Sequence, residues 1–125
     1  MQSTVASDKR VRPKIYWMSF EVKTISTFER QLRRFVKKFP KLVEDYAQLI
    51  EQLGANPTTG QALGKGCYKI RLKISGKRSG KSGGARVITC VKVTDEVVYL
   101  LSIYDKSERA SISDAQLNAL IRLID

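Results

Sequence analysis

The chain has 125 residues, 42% of them hydrophobic and 28% charged, with a formal net charge of +11. That length holds one domain with a real core and excludes two ordinary ones; the composition excludes a disordered chain, and no apolar run approaches the ~20 residues of a membrane-spanning helix. There is no histidine and there are two cysteines; the first excludes serine–histidine and cysteine–histidine nucleophile pairs, and the two together exclude the usual zinc sites.

Residues 1–17 lack apolar periodicity and carry Arg10, Arg12 and Lys14. They read as a basic extension outside the core, leaving a single domain over 18–125. The polar, basic N-terminus shows no secretory apolar segment, so the cytoplasm is the expected location. FEVKTI, 20–25, alternates and is β-branched, and predicts a first strand. Ser26-Thr27-Phe28-Glu29 fits a capping box with Ser26 as N-cap. Phe28, Leu32, Phe35, Val36 and Phe39 follow at helical spacing, and Arg30, Arg33, Arg34, Lys37 and Lys38 cover the rest of that helix. Pro40 breaks it and can open the next, whose apolar stripe is Leu42, Val43, Tyr46, Leu49, Ile50 and Leu53, closed by Gly54.

Residues 55–66 read as a loop rich in turn residues. YKIRLKIS, 68–75, then alternates strictly: Tyr68, Ile70, Leu72 and Ile74 face one way, and Lys69, Arg71 and Lys73 the other. After a glycine-rich loop, ARVITCVKV (85–93) predicts a strand, 94–96 a turn, and VVYLLSIY (97–104) a strongly apolar strand. Ser113 is the expected N-cap of a last helix carrying Leu117, Leu120, Ile121 and Ile124 on one side. The order is β-α-α-β-β-β-α, an α+β fold. It implies an antiparallel meander with the helical hairpin on one face and a cationic working surface on the other. Cys67 and Cys90 lie in strand contexts and read as reduced, partly buried thiols.

Charge is unevenly distributed. Between Glu51 and Asp95 there is no acidic residue and there are nine basic ones, Lys65, Lys69, Arg71, Lys73, Lys77, Arg78, Lys81, Arg86 and Lys92. Such a concentration favours a polyanion, most commonly nucleic acid. Within it, SGKRSGKSGG (75–84) contains the Gly-Lys-Ser that ends a nucleotide-binding P-loop. The glycine spacing is one residue short, and a β-branched segment follows where a helix is required, so the stretch is read as a basic hairpin connection. Lys77, Arg78 and Lys81 can still meet a polynucleotide backbone.

Cys67-Tyr68-Lys69-Ile70-Arg71-Leu72, then Gly83-Gly84-Ala85-Arg86-Val87-Ile88 and Tyr104-Asp105-Lys106-Ser107-Glu108, resemble the RelE/ParE superfamily of bacterial toxins, closest to the RelE/HigB-like mRNA interferase branch. The resemblance covers about residues 18–123. It implies a compact twisted sheet with two N-terminal helices packed on it. It implies a toxin of a type II toxin–antitoxin pair, silenced by a small cognate antitoxin, and an endoribonuclease acting on mRNA in the ribosomal A site without metal or cofactor. The family's catalytic positions fall on Lys69, Arg71, Arg86 and Lys106. Arg71 stands where the family has a second lysine, and Ile112 where its best-known members have a base-stacking tyrosine. Tyr104 is the nearest substitute, and Arg109 can also stack.

Cleavage through the 2′-hydroxyl needs a base, stabilisation of the charged phosphorane and an acid. Close like charges favour a neutral amine, the form a base requires. Lys69 is accordingly expected as the base, Arg71 and Arg86 as phosphate ligands, and Lys106 as the acid or a second clamp. Lys65, Lys73, Lys77, Arg78, Lys81 and Arg109 are expected to contact RNA or ribosome. Two other readings stay open: a gyrase-inhibiting ParE-like toxin, and a non-catalytic RNA-binding module.

Overall fold

The computed structural model describes residues 19–74, 84–109 and 111–125. The proposed extension 1–17 lies outside them. Five strands form one sheet: β1 (Glu21–Thr24), β2 (Gln61–Gly64), β3 (Cys67–Leu72), β4 (Ala85–Lys92) and β5 (Val97–Asp105), in the order β1-β5-β4-β3-β2. Neighbours pair antiparallel except β1, which runs parallel to β5 through Glu21↔Val97 to Thr24↔Leu100. Three helices complete the chain: α1 (Ser26–Lys38), α2 (Leu42–Ala55) and α3 (Asp114–Arg122).

The α1–α2 hairpin covers one face, as the periodicity requires. Phe28, Leu42, Leu49 and Leu53 meet Ile70, Leu72, Val87, Val98, Leu100 and Ile103 in the main core. α1 also covers an edge. β1 pairs with only the first half of β5, which leaves later backbone donors open. Gln31 Oε1 of α1 accepts the Ile103 N–H at 2.9 Å and the Ser102 hydroxyl at 3.2 Å. A buried N–H that would otherwise lack a partner is thereby satisfied.

Three expectations need correction. The capping box at Ser26 does not form; Ile25 is the N-cap without a side-chain cap, and Ser26 is already helical. Glu29 is drawn instead to Thr24, whose hydroxyl donates to its carboxylate at 2.5 Å. The 55–66 loop contains β2, paired through Gln61↔Lys69 and Ala62↔Tyr68. So short an edge strand has no apolar alternation to announce it; the free edge of β3 recruits it. Finally, the second sheet face is not wholly a working surface. α3 lies over one end of it, where Leu117 packs with Cys67, Ile88, Cys90 and Leu101.

α3 starts as expected. Ser113 Oγ accepts the Gln116 N–H at 3.1 Å, and Gln116 Oε1 accepts the Ser113 N–H at 2.9 Å. Its flanks are tied down by Lys65 Nζ donating to Asn118 Oδ1 and by a 2.6 Å ion pair between Lys92 and Asp125. Beneath it Cys67 and Cys90 are opposed in the β3–β4 ladder and buried completely rather than partly. Their mutual hydrogen bond is the main cause that pushes the Cys67 thiol up and pulls Cys90 down to about 7.

Phe28 is fully buried at the centre of the main core. Phe28→Ala is expected to cost ~3–5 kcal/mol in urea denaturation. Val43, 52% exposed on α2, is expected to tolerate alanine within about 0.5 kcal/mol.

Candidate active site

The uncovered end of the second face collects the cations. Directly paired residues share a face, so the pairs Arg71↔Arg86 and Arg86↔Tyr104 place the three side chains in one row across β3, β4 and β5. Lys69 stands one pleat further along β3 on the same side. Lys106 follows the end of β5, its N–H bonded to Gly84 O at 3.0 Å. A hollow of about 330 Å³ is lined by Lys69, Arg71, Arg86 and Lys106 together with Gly60 and Gln61. The four expected catalytic cations are thus brought together. Among the described residues, no carboxylate lines the hollow.

Arg86 is the unusual member. It is only 5% exposed. Its Nη1 donates to Ala85 O at 3.1 Å, and no carboxylate among the described residues pairs with it. Arg71 lies directly opposite, and like charges in that relation destabilise a sheet. A buried guanidinium without an anion is costly unless something negative enters. The hollow is therefore built for an anion, and the planar donor forks of two arginines suit phosphate oxygens.

Tyr104 closes the row as a mostly covered side chain, 8% exposed. Its hydroxyl has no hydrogen-bond partner among the described residues. Burial raises its pKa, against the opposing pull of Arg86 and Arg109. The Arg109 guanidinium lies over the ring, 5.4 Å from its centroid. The turn bearing Lys106 and Arg109 is fixed by Asp105, whose Oδ1 accepts the Ser107 N–H at 2.9 Å and the Ser107 hydroxyl at 2.7 Å. The Arg109 N–H in turn reaches Asp105 O at 3.1 Å.

Of the expected RNA contacts, Lys73 is exposed beyond the end of β3 and does not line the hollow. Lys65 sits at the β2–β3 turn, engaged with Asn118 of α3. Lys77, Arg78 and Lys81, with the Gly-Lys-Ser stretch, lie outside the described residues. Gly60 and Gln61 are the members that sequence reasoning missed. Gly60 has φ +106°, and a Cβ there would lie 2.5 Å from Lys69 O. Only glycine lets this wall approach β3 so closely. The run of turn residues around it was the available signal, but a turn residue does not reveal what it faces.

A family model described as the RelE toxin of the RelE / RelB toxin-antitoxin system matches residues 23–124. The chain belongs to the RelE toxin family. Its fold is similar to that of an arginine-to-alanine double mutant of E. coli toxin RelE in the free state. That match has 17% identity and a TM-score of 0.56, and covers 86% of this chain and 99% of that one. The intact E. coli RelBE toxin-antitoxin complex matches at 19% identity and a TM-score of 0.51, over 68% of this chain and 94% of that one. The RelE fold expected from the sequence is therefore the fold observed, with β2 as an addition. Among the described residues, no helix of this RelE-family toxin is long and apolar enough to cross a membrane.

Replacing Arg86 with methionine removes a buried charge that no carboxylate among the described residues pairs. Arg86→Met is expected to raise stability by about 1–2 kcal/mol in urea denaturation. Inorganic phosphate or tungstate should raise the melting temperature of the wild-type chain and leave that of Arg86→Met unchanged.

Proposed function

We propose that this RelE-family toxin is an endoribonuclease, an mRNA interferase that cleaves message held in the ribosomal A site. The observation that carries the reading is the burial of Arg86 among Lys69, Arg71 and Lys106 in a hollow that no carboxylate of the described residues lines. Such a site favours a phosphodiester over a neutral ligand. It also offers amines where histidine is absent.

In this reading the Lys69 amine takes the proton of the 2′-hydroxyl. The 2′-oxygen forms its bond to phosphorus, and the P–O5′ bond breaks. Lys106 gives the leaving 5′-oxygen its proton. The products are a 2′,3′-cyclic phosphate and a 5′-hydroxyl. Arg71 and Arg86 hold the non-bridging oxygens as charge develops, the contribution expected to be largest. Tyr104 supports Arg86 from the next position of the row. Arg109, spread over Tyr104, offers its planar face to a base in place of the tyrosine that Ile112 replaces. Lys65, Lys73, Lys77, Arg78 and Lys81 would meet the backbone further along the strand, Lys65 after release from Asn118. The relative solved as a RelBE complex supports a cognate antitoxin as the cellular partner, and the positive surface suits an acidic segment of it. The site of action would be the cytoplasm.

The test is primer extension on mRNA, both free and on ribosomes paused with an empty A site. Cuts are expected on ribosomes and are expected to fall by ~10²–10³-fold in Lys69→Ala and in Arg86→Ala. Cleavage within a few-fold of wild type in both variants would contradict the assignment. Cuts on free RNA would retain the nuclease and remove the ribosome from the mechanism.

A further inference from the structure

Cys67 and Cys90 take no part in the chemistry assigned to the hollow, and neither lines it. Both are free thiols. They face one another across β3 and β4 beneath α3, and are 1% and 2% exposed. Among the described residues they belong to no group of three side chains that could hold a metal ion. For packing alone, two other small side chains would serve as well; the reactivity of sulfur is what sets a cysteine apart.

Register decides what the pair can do. The Val91 N–H donates to Gly66 O at 2.9 Å, which makes Gly66 and Val91 a hydrogen-bonded position of the ladder. Hydrogen-bonded and non-hydrogen-bonded positions alternate, so the next pair, Cys67↔Cys90, is of the second kind. Such pairs bring Cα atoms to about 4.5 Å, within the roughly 4.4–6.8 Å that a disulfide spans. The thiols already meet. Cys67 donates to Cys90, and its sulfur also reaches Lys65 O at 3.7 Å. The proton is thereby kept on Cys67. That bond, aided by the Lys92 ammonium, outweighs burial and the Asp125 carboxylate and leaves Cys90 the more acidic thiol. A thiolate is the nucleophilic form.

We propose that Cys67 and Cys90 are an oxidation-sensitive dithiol, which a hydroperoxide converts into a cross-strand disulfide. The Cys90 sulfur attacks one peroxide oxygen. The O–O bond breaks, and the other oxygen leaves as hydroxide and takes up a proton to become water. Cys90 is then a sulfenic acid. The Cys67 sulfur forms the S–S bond, and the sulfenic oxygen departs as water with the Cys67 proton. The two thiols lose two electrons and the peroxide gains them. A small dithiol reverses the step by exchange.

α3 governs entry. It runs only from Asp114 to Arg122. Leu117 holds it against the two cysteines, and the Lys65–Asn118 and Lys92–Asp125 contacts tie its flanks. A short helix near a chain end opens locally at small cost, which admits a small peroxide. Disulfide closure cross-links β3 to β4 and encloses residues 67–90, so the oxidised chain has less freedom to lose on folding. The device acts on the fold rather than on the anion site, and does not rest on the nuclease reading.

The test treats the full chain with hydrogen peroxide and follows intact mass, thiol content in denaturant and urea denaturation. The expected product is a single chain lighter by two hydrogens, with no free thiol and with its Cys67 and Cys90 peptides joined. Its urea midpoint should lie above that of the reduced chain, and dithiothreitol should restore both mass and midpoint. Cys67→Ala is expected to stop at a sulfenic acid on Cys90, trapped by dimedone, and Cys90→Ala to oxidise at least ~10-fold more slowly than wild type. Leu117→Ala, which loosens α3, should oxidise faster than wild type; an unchanged rate would overturn the role given to α3. Thiols that stay reduced in the folded chain yet react in urea would overturn the proposal. So would disulfides formed only between chains, oxygen gained without a cross-link, or a cross-linked chain whose midpoint is unchanged or lower. The wild-type readings decide the matter even where a variant fails to fold.

Discussion

The juxtaposition of Arg71 and Arg86 across β3 and β4 is the constraint on which the molecule turns. Two guanidinium groups face each other in register, one of them buried, with Lys69 a pleat away and Lys106 at the strand end. Left to itself this arrangement opposes folding. It persists because the opposite face of the same strands is held by a dry core, in which Ile70, Leu72, Val87 and Ile103 pack against Phe28, Leu42, Leu49 and Leu53. Burial of that many apolar side chains outweighs a few unfavourable charge contacts, each on the order of 1 kcal/mol. The strands are rigid, so the cations cannot turn away from one another. Their repulsion is kept for an anion to relieve, and in the proposed nuclease this would be the preorganisation that electrostatic catalysis requires.

Coverage of the cationic face is divided along the strands. α3 occupies the Cys67–Cys90 end, while the Arg71–Arg86–Tyr104 end stays open. The division follows from the strand sequences. On the covered side β3 and β4 present Cys67, Ile88 and Cys90, which reward burial; further along they present Lys69, Arg71 and Arg86. β2 and Gly60 close the hollow from the side, and the Asp105 turn delivers Lys106 from the end. Elements far apart in the chain thus wall a single site.

Much of this was legible in the sequence because its signals are periodic. The alternation over 68–74 assigned each side chain of β3 to its face, and register then carried Arg86 onto the cationic side. The spacing of Phe28, Leu32, Phe35 and Phe39 likewise identified the core side of α1. What was hidden depends on pairing between distant segments. Nothing in Glu21–Thr24 states that β1 runs parallel to β5, and nothing in Gln61–Gly64 states that a strand exists. The Ser26 cap failed because Thr24, just upstream, competes for the Glu29 carboxylate. α3 was recognised as a helix, but its landing place depends on the apolar half of a face whose other half is cationic. The cation cluster itself was foreseen, whereas the burial of Arg86 came only from the fold.

The account stands or falls on the chemistry assigned to the hollow. The most direct measurement is the fate of an RNA carrying a single 2′-deoxy substitution at the mapped cut, beside an unmodified control whose product ends are read by phosphorus NMR. The account predicts that the control yields a 2′,3′-cyclic phosphate and a 5′-hydroxyl. It predicts that the substituted RNA still binds but is not cut. Cleavage of the deoxy substrate, or a control ending in 3′-hydroxyl and 5′-phosphate, would contradict it, because the nucleophile would then be something other than the 2′-oxygen activated beside Lys69.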